Sequence, residues 1–179
     1  MISGSRPITR WRCPSDGQLA VAWAKVERSL ATNPNNAHGA HGFAHVCYET
    51  GAPNTARAFL SSWLVTYPRE EFFYGHLSWH LSRCEIQAGN WGEAWRLYRD
   101  AIALDRHSGG PQQKISDGAA FLWRSELAGQ PRDTAAWRGL MAMRTAHCHG
   151  RATGSLICMF CWCRLSSEMT PRSMPVLAK

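Results

Sequence analysis

No apolar run in this 179-residue chain approaches the roughly 20 residues that a helix needs to cross a bilayer, and no secretory apolar segment follows the basic N-terminus. A soluble, cytoplasmic protein with no membrane partner is expected. Acidic residues are scarce, 13 Asp plus Glu against 20 Lys plus Arg, and the net charge is +7. That excess suggests a phosphate-binding surface until it is located along the chain. From Asp16 to Arg151 there are 14 basic and 12 acidic residues, while at the ends Arg6, Arg10, Arg12, Arg164, Arg172 and Lys179 face Glu168 alone. The middle is close to neutral, so nucleic acid is excluded as the expected partner. Catalytic signatures are missing too: there is no Gly-rich phosphate loop, no Ser-His-Asp order and no paired-carboxylate arrangement. No catalytic residue is assigned, and no cofactor or metal is expected. Charged residues make up only 18% of the chain and hydrophobic ones 45%, which excludes general disorder and permits a sizeable core. The seven cysteines are an odd number, scattered, and Cys47 and Cys84 fall inside helical stripes as small apolar residues, which favours a reducing compartment.

What the chain does contain is a helix-hairpin pattern over Asn36 to Asp105. Ala40, Phe43, Ala44 and Cys47 stand at i, i+3, i+4 and i+7, and the positions 34 further on, Tyr74, Leu77, Ser78 and Leu81, carry a second stripe. Pro34 and Pro68 share that spacing, and each closes a hairpin because proline cannot continue a helix. In chain order, residues 18–32 form a helix with Ala22, Val26, Ser29 and Leu30 on one face. Asn36 caps a helix that stops at Gly51, and Pro53 opens a helix with Ala56, Phe59, Leu60, Trp63 and Leu64 on its apolar face. Residues 70–88 read as a longer helix with Glu70 and Glu71 in its first turn, ended by Gly89. After that insertion the register resumes at plus 38, with Ala94, Leu97, Tyr98, Ala101 and Ile102 in the corresponding places. Residues 106–112 are a loop, and helices follow over 114–128 and, capped by Asp133, over 133–147. The small residues Ala22, Ala56 and Ala94 mark expected close approaches between helices, and Arg57 is placed on the face opposite Ala56.

The spacing of about 34 residues, with its small positions and closing proline, resembles the tetratricopeptide repeat. More narrowly, AHGAHGFAHVCYETG, GHLSWHLSRCEIQAGNWGEAWRLY and ISDGAAFLWRSELAG are similar to successive segments of the tetratricopeptide repeat protein 38 family, over roughly residues 18–150. The resemblance implies an all-α, right-handed tetratricopeptide-like α-solenoid of stacked antiparallel hairpins. It implies a helical-repeat protein of undefined biochemical activity, and a chain that corresponds to part of the family's second half.

The two ends stand apart. Residues 1–17 read as an irregular tail, and residues 151–179 have neither helical period nor ordinary composition. Cys158, Cys161 and Cys163 form half of a zinc motif with no second half. Reading each triplet from the third base of the codon before gives a better account. Met159 with Phe160 then forces Val, Phe160 through Cys163 force Leu, Leu and Val, Met169 with Thr170 forces Asp, and Met174 with Pro175 forces Ala. The shifted frame permits FADLHVLLV followed by GDDAALDAR, a helix, a stop and a new helix start. Residues 151–179 are therefore read as an unstructured tail of out-of-frame sequence, with self-association expected through uncapped solenoid ends.

Histidines are the chemically suggestive side chains. His38, His41 and His45 share one helical face, and His76 and His80 share another in the next hairpin, each set holding imidazoles about one turn apart, as helical zinc sites do. Neither carries the glutamate of a zinc hydrolase motif, and core or peptide-contacting histidine is the simpler account. Most of the nine tryptophans read as core, Trp63, Trp95, Trp123 and Trp137 among them. Trp79, between His76 and His80, is the candidate groove aromatic. The expected function is a protein-interaction scaffold whose concave face, around His41, His45, His76, Trp79 and His80, accepts a peptide or protein partner. The alternatives are a metal-dependent enzyme using the histidine pairs, or a truncated chain with no independent function.

Overall fold

The computed structural model describes residues 16–147, which hold seven α-helices and no strand. The chain divides after Gly51 into two compact units. Asp16 and Gly17, read from the sequence as the end of an irregular tail, instead open the first helix; the expectations for residues 1–15 and 151–179, including the shifted reading frame, fall outside the described residues.

The first unit holds α1 (Asp16–Thr32) and α2 (Ala37–Glu49). Asn36 begins α2 as the sequence predicts: its side-chain oxygen accepts from the amides of His38 at 3.1 Å and Gly39 at 3.3 Å, satisfying donors that a helix start leaves unpaired. Its amide nitrogen also donates to Ser29 Oγ at 2.8 Å, which ties the cap to α1. Ala40, Ala44 and Cys47 are buried and Phe43 is half-buried, its ring 5.5 Å from that of Trp23. The close approach of α1 and α2 occurs at glycines rather than at Ala22, which is half-buried. A Cβ at Gly39 would stand 3.1 Å from Ser29 and Leu30, and one at Gly42 would stand 3.0 Å from Val26. Gly51 closes the unit at φ 67°, a conformation that costs any other residue but asparagine strain.

In the second unit, α3 (Pro53–Thr66) and α4 (Tyr74–Gln87) are followed by α5 (Trp91–Leu97), which runs on through a wider π turn at Tyr98–Ile102. Then come α6 (Pro111–Leu127) and α7 (Thr134–His147). α4 is central, packed against α3, α5 with its π turn, and α6, while α6 also carries α7. Ala56, Leu60 and Leu64 are buried while Phe59 and Trp63 are half-buried, and Ala94, Leu97, Tyr98, Ala101 and Ile102 are all buried. Each large apolar side chain removed from water here contributes roughly 1.5 to 3 kcal/mol. Asp133 caps α7, its Oδ1 accepting from the amide of Ala136 at 2.9 Å.

Three expectations need correction. Glu70 and Glu71 do not lie in the first turn of α4; successive turns, with the Glu71 amide on Pro68 O and the Tyr74 amide on Glu71 O, delay the helix to Tyr74. Pro111 is not in a loop but in the first turn of α6, where its fixed φ and missing amide proton fit. Arg57 is not on an uninvolved face: its Nε donates to Glu85 Oε1 at 2.7 Å, and Glu85 is buried on α4.

Candidate functional site

The second unit gathers chemistry where α4, the loop after the π turn and the start of α6 meet. The 3.6-residue period puts His76, Trp79 and His80 on one side of α4. The loop returns His107 to that helix, and α6 supplies Asp117 from inside its apolar stripe, between Ile115 and Phe121. His76 Nδ1 lies 2.8 Å from Asp117 Oδ2, and His107 Nε2 lies 3.0 Å from the same oxygen. The Gly109 amide donates to His107 Nδ1 at 2.9 Å, so the proton of that neutral ring sits on Nε2, aimed at the carboxylate. His76 donates through Nδ1, which makes Nε2 its basic nitrogen.

Burial works to raise the Asp117 carboxyl, but the hydrogen bonds from His107 and His76 outweigh it and hold the group below its ordinary range. The carboxylate is buried, as is His107, whereas His76 keeps 17% of its side chain exposed. Gly75 is what lets His107 lie against α4: a Cβ there would stand 2.6 Å from His107 Nδ1. The loop is laced down further by the Gly75 amide donating to Ser108 Oγ at 3.1 Å and by Lys114 Nζ donating to Leu104 O at 3.2 Å.

Beside this network opens a cleft of about 510 Å³, whose walls include Phe72, His76, Pro111, Gln113, Ser116 and Asp117. Phe72 stands at the rim with 53% of its surface exposed. Gln113 Oε1 is buried and has no hydrogen-bond donor among the described residues. The first turn of α6 adds the amides of Gln112 and Gln113, which helix geometry leaves without intrahelical acceptors. The arrangement offers an apolar rim, a hydrogen-bonding floor and one imidazole of fixed orientation.

The five expected groove residues fall into two groups. In the second unit the rings of His76, Trp79 and His80 meet one another: His76 stacks on Trp79 at 5.5 Å and 11°, and His80 meets both edge-on, at 4.8 Å from His76 and 4.9 Å from Trp79. Trp79 is half-buried under the guanidinium groups of Arg83 and Arg124, at 5.1 and 5.7 Å from its ring centre, and its indole Nε1 finds no acceptor among the described residues. His80 is only 3% exposed, so it braces the other two rings from within. In the first unit, His41 and His45 lie one turn apart on α2 with their Nε2 atoms 3.0 Å apart.

His107 and Asp117 were not among the expected site residues, because the stretch 106–112 reads as a plain loop and Asp117 as one polar residue of a helix. One signal was available. Asp117 sits four residues before Phe121 and two after Ile115, so a carboxylate on the core face had to find a partner.

No helix among the described residues is long and apolar enough to cross a membrane. The chain matches no family model, no curated protein and no solved structure.

Proposed function

We propose that this chain is a tetratricopeptide-like helical-repeat module of the cytoplasm that binds a peptide segment of a protein partner. The observation that carries the reading is the cleft beside α6, where the exposed ring of Phe72 borders a pocket floored by the Asp117-oriented His76. Pockets of this size hold one or two side chains and combine apolar walls with a few placed polar groups. The 34-residue stripe pattern and the glycine and proline punctuation of the helices support the repeat assignment.

The test is a peptide library displayed on phage and selected on the purified chain, followed by titration of the recovered peptide against Phe72→Ala and His76→Ala. Phe72 is exposed, so its truncation leaves the fold intact, and the peptide should bind at least about tenfold more weakly, as expected for an aromatic contact at the rim. Equal affinity for wild type and both variants, or no peptide recovered at all, overturns the reading.

A further inference from the structure

The geometry points to a second site, on α2, where His41 and His45 form a chelating pair for a divalent transition-metal ion. The i, i+4 spacing alone only puts two imidazoles on one side of a helix; their flexible side chains are free to splay. Here they converge. The Nε2 atoms are 3.0 Å apart, the ring centres 4.5 Å apart and the ring planes at 87°, and both side chains are half-buried.

That separation can be compared with what a metal demands. Two nitrogens each about 2.0 to 2.1 Å from one ion lie about 3.3 Å apart at a tetrahedral angle and about 2.9 Å apart at a right angle. The observed 3.0 Å, set by the hydrogen bond between the rings, falls between these two values, so small ring rotations let both nitrogens close on one ion. The remaining coordination positions would go to water or other donors. Metal binding requires both Nε2 atoms to be unprotonated, so the proton that bridges them must move to Nδ1 of its own ring or leave to solvent.

The helix under the pair is already pinned. Asn36 caps it and bonds to Ser29, and Gly39 and Gly42 seat it against α1. The two ligands therefore sit on a backbone whose ordering has been accomplished by folding, so chelation costs little further entropy. The sequence leads to the expectation of no resident metal. An exchangeable site of two imidazoles is compatible with that, because its occupancy follows the free-ion concentration.

The experiment is a calorimetric titration of the full, tag-free chain with nickel, copper and zinc salts, repeated for His41→Ala, His45→Ala and the control His147→Ala, an exposed histidine on α7. The expected result is one ion per chain, with copper bound most tightly, as the divalent series orders imidazole sites. Each pair variant should weaken binding at least about tenfold, the smallest loss expected when even an outer-shell partner is removed, and the control should leave it unchanged. Should either variant fold poorly, imidazole NMR signals of the wild type give the same answer, since substoichiometric nickel must broaden His41 and His45 before His38 and His147. Affinity that survives both variants, zinc binding tighter than copper, or broadening that begins elsewhere overturns the proposal.

Discussion

Two ways of holding a pair of imidazoles stand in the two units. On α2, His41 and His45 meet each other directly, nitrogen to nitrogen. In the second unit, His76 and His107 come from different elements and meet one carboxylate oxygen of Asp117. The first pair is a local product of helix geometry, with both members on a single turn. The second is a long-range product of packing, with partners 41 and 10 residues away from Asp117. Local pairs can be lost without disturbing the fold around them, whereas a buried carboxylate shared by two rings ties a loop and two helices together.

The largest effect should come from breaking that shared carboxylate. Asp117→Ala removes two hydrogen bonds to a charged acceptor and strands the buried His107 donor, so a loss of about 3 kcal/mol is expected in a urea titration. Replacing His41 or His45 by alanine should cost far less stability, and a comparable loss there would erase the distinction. Acid sharpens the same contrast. The unfolded carboxyl takes up its proton near the ordinary value of 3.8, while the folded one is held lower. Below about pH 4 the unfolded chain therefore binds a proton that the folded chain refuses, and the stability present above that pH is lost as pH falls through the folded value. Asp117→Asn should flatten this acid limb of the stability curve. An unchanged limb would show that Asp117 is not the group that titrates.

The next effect concerns close packing. Gly75→Ala drives a Cβ into the His107 ring, which is fixed by bonds at both nitrogens, and should cost about 1 to 3 kcal/mol. Gly42→Ala in the first unit meets only a methyl of the half-buried Val26 at 3.0 Å, which a small rotation relieves, and should cost less. Ala56→Leu and Ala94→Leu belong with the costly class, since both positions are buried, at 3% and 0% exposure. Equal losses at Gly75 and Gly42 in thermal denaturation would mean that the His107 network gives way as readily as a valine.

The contrast also explains what the sequence could disclose. Much that is built from neighbours along the chain was legible: the Asn36 cap, the Gly51 stop, Pro53 in a first turn, the Asp133 cap and the stripes from Ala56 to Ile102. The shared side of His41 and His45 belongs to that class, but the convergence of their rings does not, because side chains at i and i+4 are free to splay. Features that depend on which helix packs on which were not legible. His107 read as loop until α4 offered Gly75 to receive it, and Arg57 read as a bystander until α4 brought the buried Glu85 to it. In both cases the visible clue was an acid on a core-facing position, Asp117 and Glu85, and the missing information was the identity of its partner. The start of α4 failed for a different reason: Glu70 and Glu71 suit a helix N-terminus, but consecutive turns after Pro68 satisfy the backbone without one.

The smallest effect separates the two jobs of Asn36. Its oxygen caps α2 and its amide nitrogen reaches Ser29 on α1, so Asn36→Ala loses both and should cost about 1 to 2 kcal/mol. Asn36→Asp keeps an acceptor for the His38 and Gly39 amides, and its charge suits a helix N-terminus, but it cannot donate to Ser29; a loss of about 0.5 to 1 kcal/mol is expected. Nickel affinity should follow the cap rather than the tie to α1, because what the chelating pair needs is an ordered first turn beneath His41. The alanine variant should therefore bind nickel more weakly than wild type and the aspartate variant nearly as well, measured by calorimetry at one pH. Equal weakening in both would make the α1 contact, not the capped turn, the support of the pair.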